Sequence, residues 1–273
     1  MQSVGRTLLD SAPQQKAYVS PYAIDTRPSA NSCVGATVVY GASDRVIEVP
    51  SDHSGAGFAM STDPSIGTLF STPLITLDVP DAEKLNSDLR AVIAQRQKTH
   101  PGTHHSNMGG YQSSWDMDRW GGAPAIKLLA IGRNLANRMT SDRDGNTGRG
   151  PHPDHFAVTW VCNMWANVNR SGHGNEFHSH PGAFWSAVYY VDDGGIADNP
   201  ALGGELEFMD PRGPLPMMNA PHLRMVGSVS AGATERVVPK AGRLVMFPSW
   251  LMHQVRPYTG NAERISIAFN LAL

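Results

Sequence analysis

The sequence predicts a mainly β protein, a β sandwich or barrel with flanking α-helices. The 27 glycines and 20 prolines break the 273 residues into short apolar runs. Segments with helical spacing come first, and a series of short strands divided by turn signals fills the C-terminal half.

Residues 1 to 66 are rich in Ser, Ala, Gly and Pro, and their strand-like piece, Val34 to Tyr40, stands isolated. We expect a loosely structured N-terminal extension there, with the folded domain over 67–273. From Leu69 the run LFSTPLITLDVP reads as a strand. Asp81 to Gln97 reads as a helix behind an Asp cap, with Leu85, Leu89, Val92 and Ile93 on one stripe. A Gly-, His- and Asn-rich loop around His100 to Gly110 follows, and then a second amphipathic helix, Pro124 to Met139, supported by Ile126, Leu129 and Leu135. The polar, Gly-rich tract from Ser141 to Pro153 reads as a loop. Strands are expected at Ala157 to Asn169, Phe184 to Val191, Glu205 to Met209, Thr234 to Val238, Arg243 to Phe247 and Arg264 to Leu271. Turn signals separate them, among them Asp192-Asp193-Gly194-Gly195, Asp210-Pro211-Arg212-Gly213-Pro214 and Tyr258-Thr259-Gly260-Asn261.

Lys and Arg total 22 against 24 Asp and Glu, a formal charge of −2. Such a balance offers no basic field for a nucleic-acid backbone, so no nucleic-acid partner is expected. Cys33 and Cys162 are too few for a disulfide framework or a thiolate metal site. No stretch approaches the roughly 18 apolar residues of a membrane helix, and the N-terminus lacks a basic region followed by an apolar run. A soluble cytoplasmic protein with no membrane partner is expected, and a homo-oligomer stays open.

Three clusters carry chemistry. In His178-Ser179-His180, just ahead of the strand FWSAVYYV, the two imidazoles share a face of an extended segment and can converge on one ion. The strand from Gly242 to Phe247 leaves through Pro248 and delivers His253 from far along the chain. Arg264 and Ser266 share one strand face, with Ile265, Ile267 and Phe269 on the other. Three imidazoles leave coordination positions open on iron, copper, nickel or zinc, and an arginine fork nearby suits the far carboxylate of a dicarboxylate.

These residues carry a resemblance. Asn163-Met164-Trp165-Ala166-Asn167-Val168, His178 to Pro181, Ser186 to Tyr190, Asp210 to Arg212, Phe247 to His253 and Arg264 to Asn270 resemble motifs of the 2-oxoglutarate and iron(II)-dependent oxygenase superfamily. They resemble in particular its group with His-x-His-Pro and Phe-Pro-Ser-Trp-Leu-x-His motifs. The likeness is close over about the C-terminal 110 residues, looser from Leu69, and leaves out the first 66. It implies a double-stranded β-helix, the jelly roll that cupins share, with Fe(II) near its mouth. It also implies 2-oxoglutarate held by the metal and Arg264, with O2 consumed and succinate and CO2 released. The reaction implied is hydroxylation, or a related oxidation, of a C–H bond in a small molecule, amino-acid derivative or peptide. The spacing from His253 to Arg264, with Ser266 two residues on, fits the superfamily.

The usual His-x-Asp or His-x-Glu is a departure point, because position 180 is histidine. One reading is a three-histidine site of His178, His180 and His253, as in some cupin-type dioxygenases; the spacings from Gly172 and Gly242 also resemble cupin motifs, with Trp185 where their glutamate stands. Another takes His180-Pro181-Gly182 as the first-ligand motif with Gly182 in the carboxylate position, as in iron halogenases. A third recruits Glu176 or Asp210. Two rival functions remain: a cupin-like dioxygenase without cosubstrate, in which Arg264 grips the substrate, and a non-catalytic module with a structural zinc.

The remaining histidines, His53, His100, His104, His105, His152, His155, His173 and His222, are expected to bind no metal. Trp160, Trp165, Trp185, Tyr189 and Tyr190 are read as core or cavity wall. Asn167 and Asn169 share a face with Asn163 and Trp165, and an inward Asn167 amide can bond the cosubstrate or substrate. Asp210 and Arg212 read as a turn ion pair.

Overall fold

The computed structural model describes residues 69–143, 158–213 and 234–273, all within a compact unit, Ser65–Leu273. The extension expected over 1–66, Cys33, the isolated strand and His53, His152, His155 and His222 lie outside the described residues, as does the loop beyond Arg143.

The first strand, β1 (Ile75–Asp78), leads into helix α1 (Ala82–Thr99), and short strands β2 (Asn107–Met108) and β3 (Tyr111–Gln112) precede helices α2 (Met117–Trp120) and α3 (Gly122–Met139). Strands then follow as β4 (Val161–Asn169), β5 (Gly174–His178), β6 (Trp185–Asp192), β7 (Leu206–Met209), β8 (Thr234–Val237), β9 (Arg243–Pro248), β10 (His253–Val255) and β11 (Arg264–Ala272). They form a six-stranded sheet, β1-β9-β6-β11-β4-β3, and a five-stranded sheet, β2-β5-β10-β7-β8. Among the described residues every pairing between these strands is antiparallel. From β4 on, the chain passes back and forth between the two sheets, and that winding is the double-stranded β-helix expected above.

Alternation along β11 sets the layers. Ile265, Ile267, Phe269 and Leu271 pack with Leu85, Leu89 and Ile93 of α1 and Leu128, Leu129 and Leu135 of α3 in a core between helices and sheet. On the other side of the six-stranded sheet, Val188, Tyr190, Val245 and Phe247 meet Leu206 and Phe208 in a smaller core between the sheets.

Local differences from expectation have physical causes. Asp81 stands before α1 but with φ 49°, and its side chain makes no cap hydrogen bond. Ile126 is 52% exposed; the buried stripe of α3 runs through Ala125, Leu128, Leu129, Gly132, Leu135 and Ala136, and Ile126 lies about 100° round the helix from Ala125. Gly132 lets the helix sit against the sheet, since a Cβ there would meet the Phe269 ring at 2.5 Å. Strand β2 lies within the loop expected around His100 to Gly110 and β3 just beyond it, and their pairing with β5 and β4 recruits that end of the loop to the sheet edges. Among the described residues no helix is long and apolar enough to cross a membrane.

Candidate active site

A cavity of about 380 Å³ opens between the sheets. Its floor is the inner face of the six-stranded sheet, and pairing register arranges that face in rows. An outer row joins Asn163, Asn270, Ser186 and Phe247 across β4, β11, β6 and β9. A middle row joins Trp165, Ala268 and Val188, and an inner row joins Gln112, Asn167, Ser266 and Tyr190. Arg264 follows, opposite Asn169.

The three histidines come from the facing sheet. His178 ends β5, His253 begins β10, and the two are register partners. The chain leaves β5 so that the His180 backbone N–H donates to the Ser249 carbonyl at 2.9 Å, which brings His180 beside them. One ring nitrogen from each of His178, His180 and His253 lies within 4.8 Å of the other two. The His178 Nδ1–H donates to the Glu176 carbonyl at 2.7 Å and the His253 Nδ1–H to the Leu251 carbonyl at 2.8 Å. Both bonds fix the ring orientation and leave Nε2 with its lone pair. Burial lowers the pKa of all three rings, that of His180 to about 4 and that of His253 to about 3. Neutral rings are what a divalent ion needs.

Neither carboxylate considered for the site joins this group. Glu176 is exposed, and Asp210 holds Arg212 through paired bonds of 2.9 and 2.7 Å, the turn ion pair expected. Gly182 has open space where a side chain would project. His178, which a site built on His180 and Gly182 would omit, stands within the cluster.

Arg264 is 1% exposed. Its Nε donates to the Gly204 carbonyl at 3.1 Å, its Nη1 donates to Ser266 Oγ at 3.2 Å, and the guanidinium lies 5.2 Å from the Tyr190 ring centroid. Burial lowers its pKa, but an arginine keeps its charge. Its Nη2 and the Tyr190 hydroxyl interact electrostatically with one another, yet neither has a partner of hydrogen-bond geometry. A buried cation with a spare donor is costly unless an anion completes it, and a carboxylate fits that gap. Asn167 and Ser266 line the cavity beside it. The residues therefore fit both groups: three neutral imidazoles for iron(II), and a guanidinium, hydroxyl and amide for an oxo-diacid.

Of the aromatic residues, Trp165 lines the cavity, while Trp160, Trp185 and Tyr189 pack under the helices. The Trp185 Nε1–H donates to Thr140 Oγ1 at 2.9 Å, so this side chain points away from the site. His105, expected to bind no metal, lies outside the imidazole group but lines the cavity, with its ring centroid 4.5 Å from that of Trp115. Gln112, Asn175 and Trp115 also line the cavity and were missed, because their short segments carry no periodic pattern. Asn270 was within reach, since it continues the period of two from Arg264 and Ser266.

Residues 163–270 match the sequence model of the family described as "Putative 2OG-Fe(II) oxygenase". Over this segment the chain is similar to the 2OG-Fe(II) oxygenases. The family uses iron(II) and 2-oxoglutarate, the two groups that the site fits. No curated protein sequence matches the chain. Similar solved structures include a Pseudomonas putida prolyl-4-hydroxylase, with 18% identity over 74% of this chain and 93% of that one and a TM-score of 0.44. A Trichoplax adhaerens prolyl hydroxylase in complex with a hypoxia inducible factor peptide fragment has 16% identity over 73% and 83%, with a TM-score of 0.48. HygX from Streptomyces hygroscopicus, with nickel and 2-oxoglutarate bound, has 11% identity over 74% and 83%, with a TM-score of 0.45.

Proposed function

We propose that the chain is an iron(II)- and 2-oxoglutarate-dependent oxygenase that hydroxylates a C–H bond of a small molecule, amino-acid derivative or peptide. The observation that carries this reading is the convergence of His178, His180 and His253 on a cavity also lined by Ser266, behind which the buried Arg264 keeps a spare donor. When bound, iron(II) with 2-oxoglutarate supplies O2 activation, the cosubstrate leaving as succinate and CO2.

The chain's own residues hold and orient. His178, His180 and His253 are the metal ligands, presented as neutral rings by burial. Arg264, Ser266 and Asn167 bind the cosubstrate carboxylates, Arg264 at the far end and Asn167 nearer the metal. Three neutral ligands leave iron(II) and the cosubstrate dianion without net charge, whereas a carboxylate ligand would add a negative one. Trp165 and Val188, in the middle row, exclude water between the ends of the cavity. A reducing cytoplasm suits both the iron(II) state and the free Cys162 thiol, whose pKa burial raises to about 12.

The test is an anaerobic iron(II) titration with and without 2-oxoglutarate, read by the visible charge-transfer band of the iron–cosubstrate complex, followed by succinate assay in air. A band and 2-oxoglutarate-dependent succinate are expected. Bound iron with no band, and turnover that ignores 2-oxoglutarate, would favour the dioxygenase without cosubstrate; a closed four-coordinate zinc with no O2 uptake would favour the structural module.

A further inference from the structure

The outer row of the cavity floor has no part in holding the metal or the cosubstrate. Strands rise about 3.3 Å per residue, so Asn163, Asn270 and Ser186 lie roughly 13 Å along the sheet from the inner row that contains Ser266. A five-carbon diacid spans only about 5 Å between its end carbons at roughly 1.5 Å per bond. The histidines stand over the outer and middle rows: His253 packs 4.7 Å from Phe247 and His180 packs 5.6 Å from Trp165, centroid to centroid. A cosubstrate reaching from the histidines to Arg264 therefore runs inward and leaves the outer row uncovered.

Asn163, Asn270 and Ser186 in that row are polar but uncharged, with Phe247 at its end. The Ser186 hydroxyl donates to Asn270 Oδ1 at 2.8 Å, which leaves the Asn270 NH2 to donate into the cavity. Asn163, exposed at the mouth, offers a second amide with both a donor and an acceptor. Trp115 closes the side, 6.4 Å from Trp165. Among the described residues no Asp, Glu, Lys or Arg side chain lines the cavity. An ammonium or carboxylate carried beside the reacting carbon would lose its hydration with no counter-charge, whereas an amide would exchange water for Asn163 and Asn270.

We infer that Asn163, Asn270 and Ser186 form the substrate site, and that it takes a substrate neutral at the reacting carbon and flanked by amides, as an amino-acid residue is between two peptide bonds, in preference to a free amino acid. This rests on the oxygenase reading of the same cavity.

The test uses the iron(II)-loaded protein with 2-oxoglutarate, kept anaerobic. N-acetyl amino acid N-methylamides and the same amino acids in free form are titrated and followed by tryptophan fluorescence and equilibrium dialysis. We expect saturable binding of at least one capped form, at least tenfold tighter than its free counterpart. Asn163→Asp is expected to narrow that ratio at least tenfold by giving the ammonium a partner, and Asn270→Leu to weaken the capped probe at least fivefold, each variant checked for folding by circular dichroism. Equal or tighter binding of free amino acids, no binding of any capped probe, or an unchanged ratio in a folded Asn163→Asp would overturn the inference. Failure of the oxygenase reading shows separately, as a missing charge-transfer band before any probe is added.

Discussion

His253 reaches the cavity with its ring direction already set by the Leu251 carbonyl and its charge already removed by burial, 4% exposed. Among the described residues only His178 and His180 stand with it, so no further ligand is at hand to replace it. His253→Ala is expected to abolish iron retention, measured as metal remaining after gel filtration, with the fold kept. Arg264 works at the other end. Its Nε and Nη1 are taken by Gly204 and Ser266, and Nη2 is left for the ligand. Hydrogen bonds to a charged group contribute about 1.5–3 kcal/mol, so Arg264→Ala should raise the 2-oxoglutarate concentration for half-maximal succinate release by roughly 10- to 150-fold, with iron binding retained. A wild-type requirement would remove Arg264 from the cosubstrate site. At this scale the sequence was readable where chemistry coincided with strand periodicity: His178 with His180 and Arg264 with Ser266 are both i, i+2 pairs. Gln112 and Asn175 were not, because each enters through a segment of five residues or fewer whose pattern is too short to show which side faces in.

The elements that carry these residues are held by contacts of uneven strength. Helix α3 lies against β11 through Gly132, and overpacking such a contact costs about 1–3 kcal/mol, more than a helix gains by losing a glycine. Gly132→Val should lower the melting temperature by roughly 3–8 °C in a thermal scan. Strand β1 is tied to β9 by Asp78, which accepts from Arg243 at 2.7 Å and from Lys240 at 3.0 Å. Those two donors hold the Asp78 carboxyl at about 2, below its ordinary 3.8. A carboxyl depressed on folding contributes its stability fully above the ordinary value and loses it as pH falls through about 2. The side chain is about half exposed, so solvent screening keeps the contribution below about 1 kcal/mol. Asp78→Asn should therefore cost a small fall in melting temperature at pH 7 and flatten the decline in stability between pH 4 and 2, seen in paired melts. Helix α1 and the longer strands were legible as apolar stripes and alternations. Strands β5 and β10 were not, although they deliver two of the three histidines. Five and three residues long, they are defined by pairing with partners distant in the chain rather than by any pattern of their own.

For the molecule as a whole, the two apolar layers differ in kind. The layer under the helices is broad and closed, with Leu89, Ile93, Leu128, Ile267 and Phe269 essentially inaccessible. The layer between the sheets is smaller, because much of that space is the cavity with its amides and imidazoles. The helical face thus supplies most of the apolar burial that holds the sheet against the cost of burying polar groups on its other face. Sequence reasoning found this division in outline, helices first and then strands, since hydrophobic periodicity reports which face is buried. It expected a cavity but not that cavity's size or full lining, which depend on the distance between two sheets. Every described element of both layers, and each of His178, His180, His253, Asn167, Arg264 and Ser266, lies within Ser65–Leu273. A chain beginning at Ser65 is accordingly expected to unfold in one cooperative transition and to bind iron(II) and 2-oxoglutarate with the affinity of the full chain, measured by calorimetry and by the charge-transfer titration. If the shortened chain folds but has lost cosubstrate affinity, residues 1–64 contribute to the site; if it does not fold, they contribute to the core.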